Sequence, residues 1–187
     1  MTSTLKSLID DRITDKNTVH SYLDIYDSLF NNIRNSAKNV IEIGILEGGS
    51  QLLWHKYFKN ANIYGCDINP APAFLKQLDR MILYQNNAYD INFIKTNFSD
   101  NNIIFDLIID DGPHTLESML FIAKYYSPIL SPNGILVIED VPSSDWIQPI
   151  IDAFPDNLKP YVYVEDRRTV KGRYDDILII LDKSKIN

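Results

Sequence analysis

At 187 residues, 45% of them hydrophobic and 23% charged, the chain reads as a single globular domain with material for a substantial core. A formal net charge of −7 disfavours long-range attraction to nucleic acid or to an anionic membrane, so neither is expected as a partner. One cysteine, Cys66, excludes an internal disulfide; with no signal-peptide pattern and no apolar run of about 20 residues, the expected location is cytoplasmic.

In TVHSYLDIYDSLFNNIR, Val19, Tyr22, Leu23, Tyr26, Leu29, Phe30 and Ile33 recur at the three- and four-residue spacing of one helix face. NVIEIGI then predicts a buried strand, GGSQLLWHKYFKN a helix and NIYGCDI a second strand. APAFLKQLDRMIL reads as a helix, and MILYQNNAYD holds a third strand at its start. FDLIIDD is the fourth strand, TLESMLFIAKYYSPIL a helix and GILVIED the fifth strand. SDWIQPIIDAF follows as a helix in which Pro149 marks either a kink or the early turn.

Strands that are apolar almost throughout, alternating with helices, imply a parallel sheet covered on both faces. PYVYVED and DDILIILD, joined only by RRTVKGRY, are too close for a parallel crossover and should pair as an antiparallel hairpin. The expected fold is therefore α/β, a doubly wound, mostly parallel seven-stranded sheet ending in an antiparallel hairpin. Residues 37–187 would form this Rossmann-like core and residues 1–36 a helical segment on the ligand side. The layout resembles class I S-adenosylmethionine-dependent methyltransferases.

In such sheets ligands bind beyond the carboxyl ends of the strands. EIGILEGGS after the first strand has Gly44, Gly48 and Gly49 but lacks the G-x-G-x-x-G spacing of a dinucleotide loop. Glu42 two residues before Gly44 suits a cationic ammonium, as on the methionine half of S-adenosylmethionine, and Ser50 opens the next helix. Ile45 and Glu47 complete this part of the expected cofactor site. Asp67, ending the second strand, is placed to accept ribose hydroxyls, with Ile68 beside it. Asn86, Asn87 and Asp90 lie where an adenine amine would be read, and Asp110 is expected on the cofactor as well.

The fourth and fifth strands end in IDDGPH and IEDVPSSDW, which bring Asp110, Asp111, Glu139 and Asp140 to one place. Carboxylates so clustered repel and raise one another's pKa values, and a divalent cation removes the conflict. An all-oxygen set suits Mg²⁺ or Ca²⁺. The competing reading is that Asp111 and Asp140 cap the following helices.

IDDGPH with GILVIED, TDKNTVHSYLDIY near the start and EIGILEGGS together resemble the metal-dependent sugar O-methyltransferases, the macrocin and mycinamicin type. That resemblance implies Mg²⁺ or another divalent ion on Asp111, Glu139 and Asp140, with His114 as general base. It also implies closure over the cofactor by Thr14, Asp15, Lys16 and Tyr22. Asn87 stands where the family usually has an acid near adenine. The implied acceptor is a sugar, a deoxyhexose or aminodeoxyhexose with vicinal hydroxyls, free, nucleotide-linked or on a glycan. His114 as a residue of a helix start is the alternative; His20 and His55 read as structural.

Arg167, Arg168, Lys171 and Arg173 on the hairpin loop suit either an acceptor phosphate or internal pairing with Glu165, Asp166, Asp175 and Asp176. Two other functions compete. One is a catechol-type O-methyltransferase with a lysine base and a gatekeeping aromatic, for which Trp54, Tyr89 and Trp146 are candidates. The other is a non-catalytic domain that keeps the fold as a scaffold. The oligomeric state stays open, a homodimer included.

Overall fold

The computed structural model describes residues 4–186. Seven strands form one sheet in the order β3-β2-β1-β4-β5-β7-β6. These are β1 (Asn39–Ile43), β2 (Asn62–Asp67), β3 (Met81–Gln85), β4 (Phe105–Asp110), β5 (Leu130–Ile138), β6 (Val162–Asp166) and β7 (Ile177–Asp182). The first five pair in parallel, whereas β7 runs antiparallel to both β5 and β6, as the short RRTVKGRY connection requires.

The apolar strands are buried on both faces, and their alternation sorts the core into two layers. Leu107 and Ile109 of β4 join one cluster, with Val40, Leu53, Trp54 and Tyr26, while Ile108 joins the other, with Met119, Phe98 and Ile150. Each such aliphatic side chain contributes about 1.5–3 kcal/mol by leaving water. α1 (Leu5–Leu8), α2 (Leu23–Phe30) and α3 (Gly49–Tyr57) cover the first layer. α4 (Ile91–Asn97), α5 (Leu116–Tyr125) and α6 (Ile147–Ala153) cover the second, and α7 (Arg168–Lys171) is one turn between β6 and β7. Thr115 caps α5 through a reciprocal hydrogen-bond pair with Ser118.

Three local expectations differ from the structure. The helix expected from Thr18 begins only at Leu23; before it, Val19 and His20 N–H groups close turns onto the Asp15 carbonyl, each at 3.0 Å. Lys16, His20 and Tyr22 of this stretch are all buried. APAFLKQLDRMIL contains one 3₁₀ turn, Leu75–Gln77, because its apolar tail is drawn into β3 alongside β2. α4 was not anticipated; Asp90 starts it by accepting the Asn92 N–H at 2.8 Å, and Phe93 and Ile94 anchor it. Pro149 lies in the first turn of α6, where no intrahelical N–H is needed.

Candidate active site

A cavity of about 870 Å³ opens at the carboxyl ends of the parallel strands. The turn after β1 forms its floor. Gly44 has φ +91° and lies so close to the turn after β4 that a Cβ would fall 1.9 Å from the Asp111 carbonyl oxygen. A Cβ on Gly49 would meet the Ile13 carbonyl at 2.1 Å, so the N-terminal segment rests directly on the start of α3. Asp11, Ile13, Thr14 and Asp15 of that segment line the cavity.

Most of the expected cofactor residues share this wall: Gly44, Ile45, Glu47 and Ser50 from the first turn, Asp67 and Ile68 from the second, and Asn87 from the third. The Asp67 carboxylate accepts the N–H groups of Ile45 and Asn69 at 2.9 and 2.8 Å. Burial works to raise its pKa, but these hydrogen bonds win and hold it below the ordinary carboxylate value. Asn87 turns its side-chain oxygen back to the Tyr89 N–H at 3.0 Å.

Glu42, Tyr22 and Asp110, expected on the cofactor, sit behind the wall. Glu42 is fully buried, accepting from Gln51 and Trp54 at 2.9 and 3.0 Å. The ammonium it faces is that of Lys16, at 3.2 Å. The Tyr22 hydroxyl donates to Asp140. Asp110 accepts the Tyr89 hydroxyl at 2.5 Å; burial pushes its pKa up to about 7, with the Tyr89 bond working against that rise and the Asp111 charge adding to it.

The acidic cluster gathers around Lys16, which is 1% exposed. Its Nζ reaches Asp111 at 2.8 Å and Glu139 at 2.5 Å. Burial would pull the lysine pKa down, but Asp111, Glu139 and Glu42 overcome it and raise it well above the ordinary value. The second Glu139 oxygen accepts the Tyr26 hydroxyl at 2.5 Å. One ammonium cannot neutralise this many acids. Burial and the Asp111 charge raise the pKa of Asp140, against the pull of His20, Tyr22 and His114.

Asp111 and Asp140 reach the cavity, and His114 stands between them. Its Nε2 lies 3.7 Å from an Asp111 oxygen and 3.8 Å from an Asp140 oxygen. Both His114 (φ +51°) and Asp140 (φ +54°) hold left-handed backbone, as does Leu46 (φ +46°) on the cavity wall. Non-glycine residues rarely adopt that conformation, and its concentration here marks a built site. One donor atom each from Asp111, His114 and Asp140 falls within 4.8 Å of the others, a spacing that fits a cation. Glu139, expected with them, directs both oxygens to protein partners.

His20, read as structural, also belongs here: its Nδ1 lies 2.6 Å from Asp176 and 3.2 Å from Asp140. The signal was its position with Lys16, Tyr22 and Tyr26 in one short segment. The hairpin cations all have partners within the chain. Arg167 pairs with Asp24, Arg168 with Asp166 and Arg173 with Asp175, while Lys171 donates to the carbonyls of Asn17 and His20. Trp54 is a core residue, and Tyr89 is the aromatic on the cavity wall.

A family model described as a methyltransferase domain matches residues 41–141. Demethylmacrocin O-methyltransferase of Streptomyces fradiae is 29% identical over 137 residues, 69% of this chain and 34% of that protein. Mycinamicin VI 2''-O-methyltransferase of Micromonospora griseorubida is 30% identical over 136 residues, 68% of this chain and 33% of that protein. The chain thus spans about a third of the length of these curated relatives. In fold it is similar to a mycinamycin-pathway methyltransferase, MycE, solved with Mg and SAH, at TM-score 0.75 and 21% identity over 100% of this chain and 57% of that one. The match to residues 41–141 takes in more than half of the chain, from β1 to the turn after β5, and the chain belongs to the methyltransferase-domain family.

Proposed function

We propose that this chain carries out S-adenosylmethionine-dependent O-methylation of a sugar hydroxyl, with a divalent ion on Asp111 and Asp140 and His114 as general base. A relative named as an O-methyltransferase of an alpha-L-rhamnosyl tetracenomycin supports a sugar acceptor, and the observation that carries the reading is His114 Nε2 poised between two cavity-facing carboxylates. When bound, S-adenosylmethionine supplies an electrophilic methyl and the divalent ion supplies Lewis acidity toward a vicinal diol.

The residues divide the work. Asp67 accepts the ribose hydroxyls while the glycine turn lets the backbone approach the ligand. Asp111 and Asp140 would hold the cation; Glu139 would join them only by giving up Lys16 or Tyr26. His114 takes the acceptor hydroxyl proton at Nε2 as that oxygen attacks the methyl, whose bond to sulfur breaks to release S-adenosylhomocysteine. The N-terminal segment walls the cavity.

A second reading has His114 as a third ligand, favoured by its spacing with Asp111 and Asp140. The lysine base usual in a catechol-type mechanism is not supplied by Lys16, whose proton three carboxylates hold. Incubation with labelled S-adenosylmethionine, with and without Mg²⁺, against nucleotide sugars, glycosides and catechols tests the assignment. Metal-dependent labelling of a sugar alone supports it, and labelling of catechols alone would reject it.

A further inference from the structure

The Lys16 side chain occupies the middle of the acidic cluster and contacts two of the residues expected to bind the metal, Asp111 and Glu139. It has little freedom to leave. Its own carbonyl accepts the Tyr22 N–H, and the hydroxyls of Tyr22 and Tyr26 are tied to Asp140 and Glu139. From outside, Lys171 donates to the carbonyls of Asn17 and His20, on either side of the same turn.

We infer that Lys16 is the resident cation of this site: its one positive charge partly offsets Asp111 and Glu139 in the metal-free protein and holds down the affinity of the site, through Asp111, for the divalent ion. The inference rests on the metal reading proposed above. A fixed ammonium that shares carboxylates with a dication repels it, and in a partly buried site that repulsion is little screened. The same ammonium lets the cluster fold without metal, because buried carboxylates without a counter-charge are strongly destabilising. Lys16 is thus a positioning residue that trades metal affinity for an assembled empty site.

Mn²⁺ titration of the wild-type protein and Lys16→Met, followed by magnetic resonance or calorimetry, tests this, with melting curves in EDTA and in Mg²⁺. Removal of the charge should tighten Mn²⁺ binding by about tenfold or more. It should also lower the melting temperature in EDTA and enlarge the rise on adding Mg²⁺. A merely structural salt bridge would lower the melting temperature but leave Mn²⁺ affinity unchanged, and that result would overturn the inference. If Lys16→Met fails to fold, the double variant Lys16→Met/Glu139→Gln, in which one charge of each sign is removed, is compared with Glu139→Gln. Mn²⁺ binding at least tenfold tighter in the double variant supports the inference, and equal binding overturns it. Absence of Mn²⁺ binding in every protein, wild type included, would remove the metal reading itself.

Discussion

Gly44 and Asp111 touch: the α-carbon of one lies so near the carbonyl of the other that a Cβ would fall 1.9 Å from the oxygen. The turn that floors the cavity is thereby fixed to the turn that carries Asp111. Gly44→Ala adds backbone strain at φ +91° and a clash with main chain, together costing about 2–4 kcal/mol. Thermal melting should show this loss, and calorimetry should show loss of S-adenosylhomocysteine binding. A variant that melts and binds as the wild type does would separate the two turns.

Asp67→Ala should weaken S-adenosylhomocysteine binding by about tenfold or more, since each lost charge-assisted hydrogen bond is worth about 1.5–3 kcal/mol. The Asp67 pKa is lowered in the folded protein, so its contribution to stability is present above the ordinary carboxylate pKa. That contribution is lost as pH falls through the lowered folded value. Binding of the product should therefore be insensitive to Asp67 protonation between about pH 8 and pH 5. Calorimetry across that range checks it, and unchanged affinity in Asp67→Ala would take Asp67 out of the site.

The strands were legible because burial on both faces leaves apolar runs, as in β4 and β7, and the short final connection allowed only a hairpin. That Asp67, Asp111 and His114 would line one cavity was legible because strand ends face it. Burial and long-range partners were not. Nothing local shows that residue 16 reaches residues 111 and 139, so Glu42 looked available to a ligand when its partner is Lys16. The β2–β3 connection was misread because its apolar residues serve a strand and a 3₁₀ turn instead of a helix face.

Chelation should separate the two halves of the site. EDTA should abolish turnover while leaving S-adenosylhomocysteine affinity largely intact, because Asp67 is held by the Ile45 and Asn69 N–H groups and takes no part in the cluster of Asp111, His114 and Asp140. Asp111→Asn and Asp140→Asn should each lose most activity, with partial recovery at high Mg²⁺. Full turnover in EDTA would reduce both acids to structural roles.

His114→Ala should slow the chemical step by roughly 10²- to 10⁴-fold, the usual weight of general base catalysis. Product affinity should barely change, since the role proposed for His114 is toward the acceptor hydroxyl. Single-turnover rates of the variant and the wild type check this, and an undiminished rate in His114→Ala would assign the base to another group.

The most direct measurement is methyl transfer from labelled S-adenosylmethionine to a deoxyhexose with adjacent hydroxyls and to its monodeoxy analogues, each with Mg²⁺ and with EDTA. Transfer to the diol in Mg²⁺ alone, with both monodeoxy sugars inert, is the expected result. A monodeoxy sugar methylated as fast as the diol, or transfer that persists in EDTA, would contradict sugar O-methylation at a metal-supported diol site.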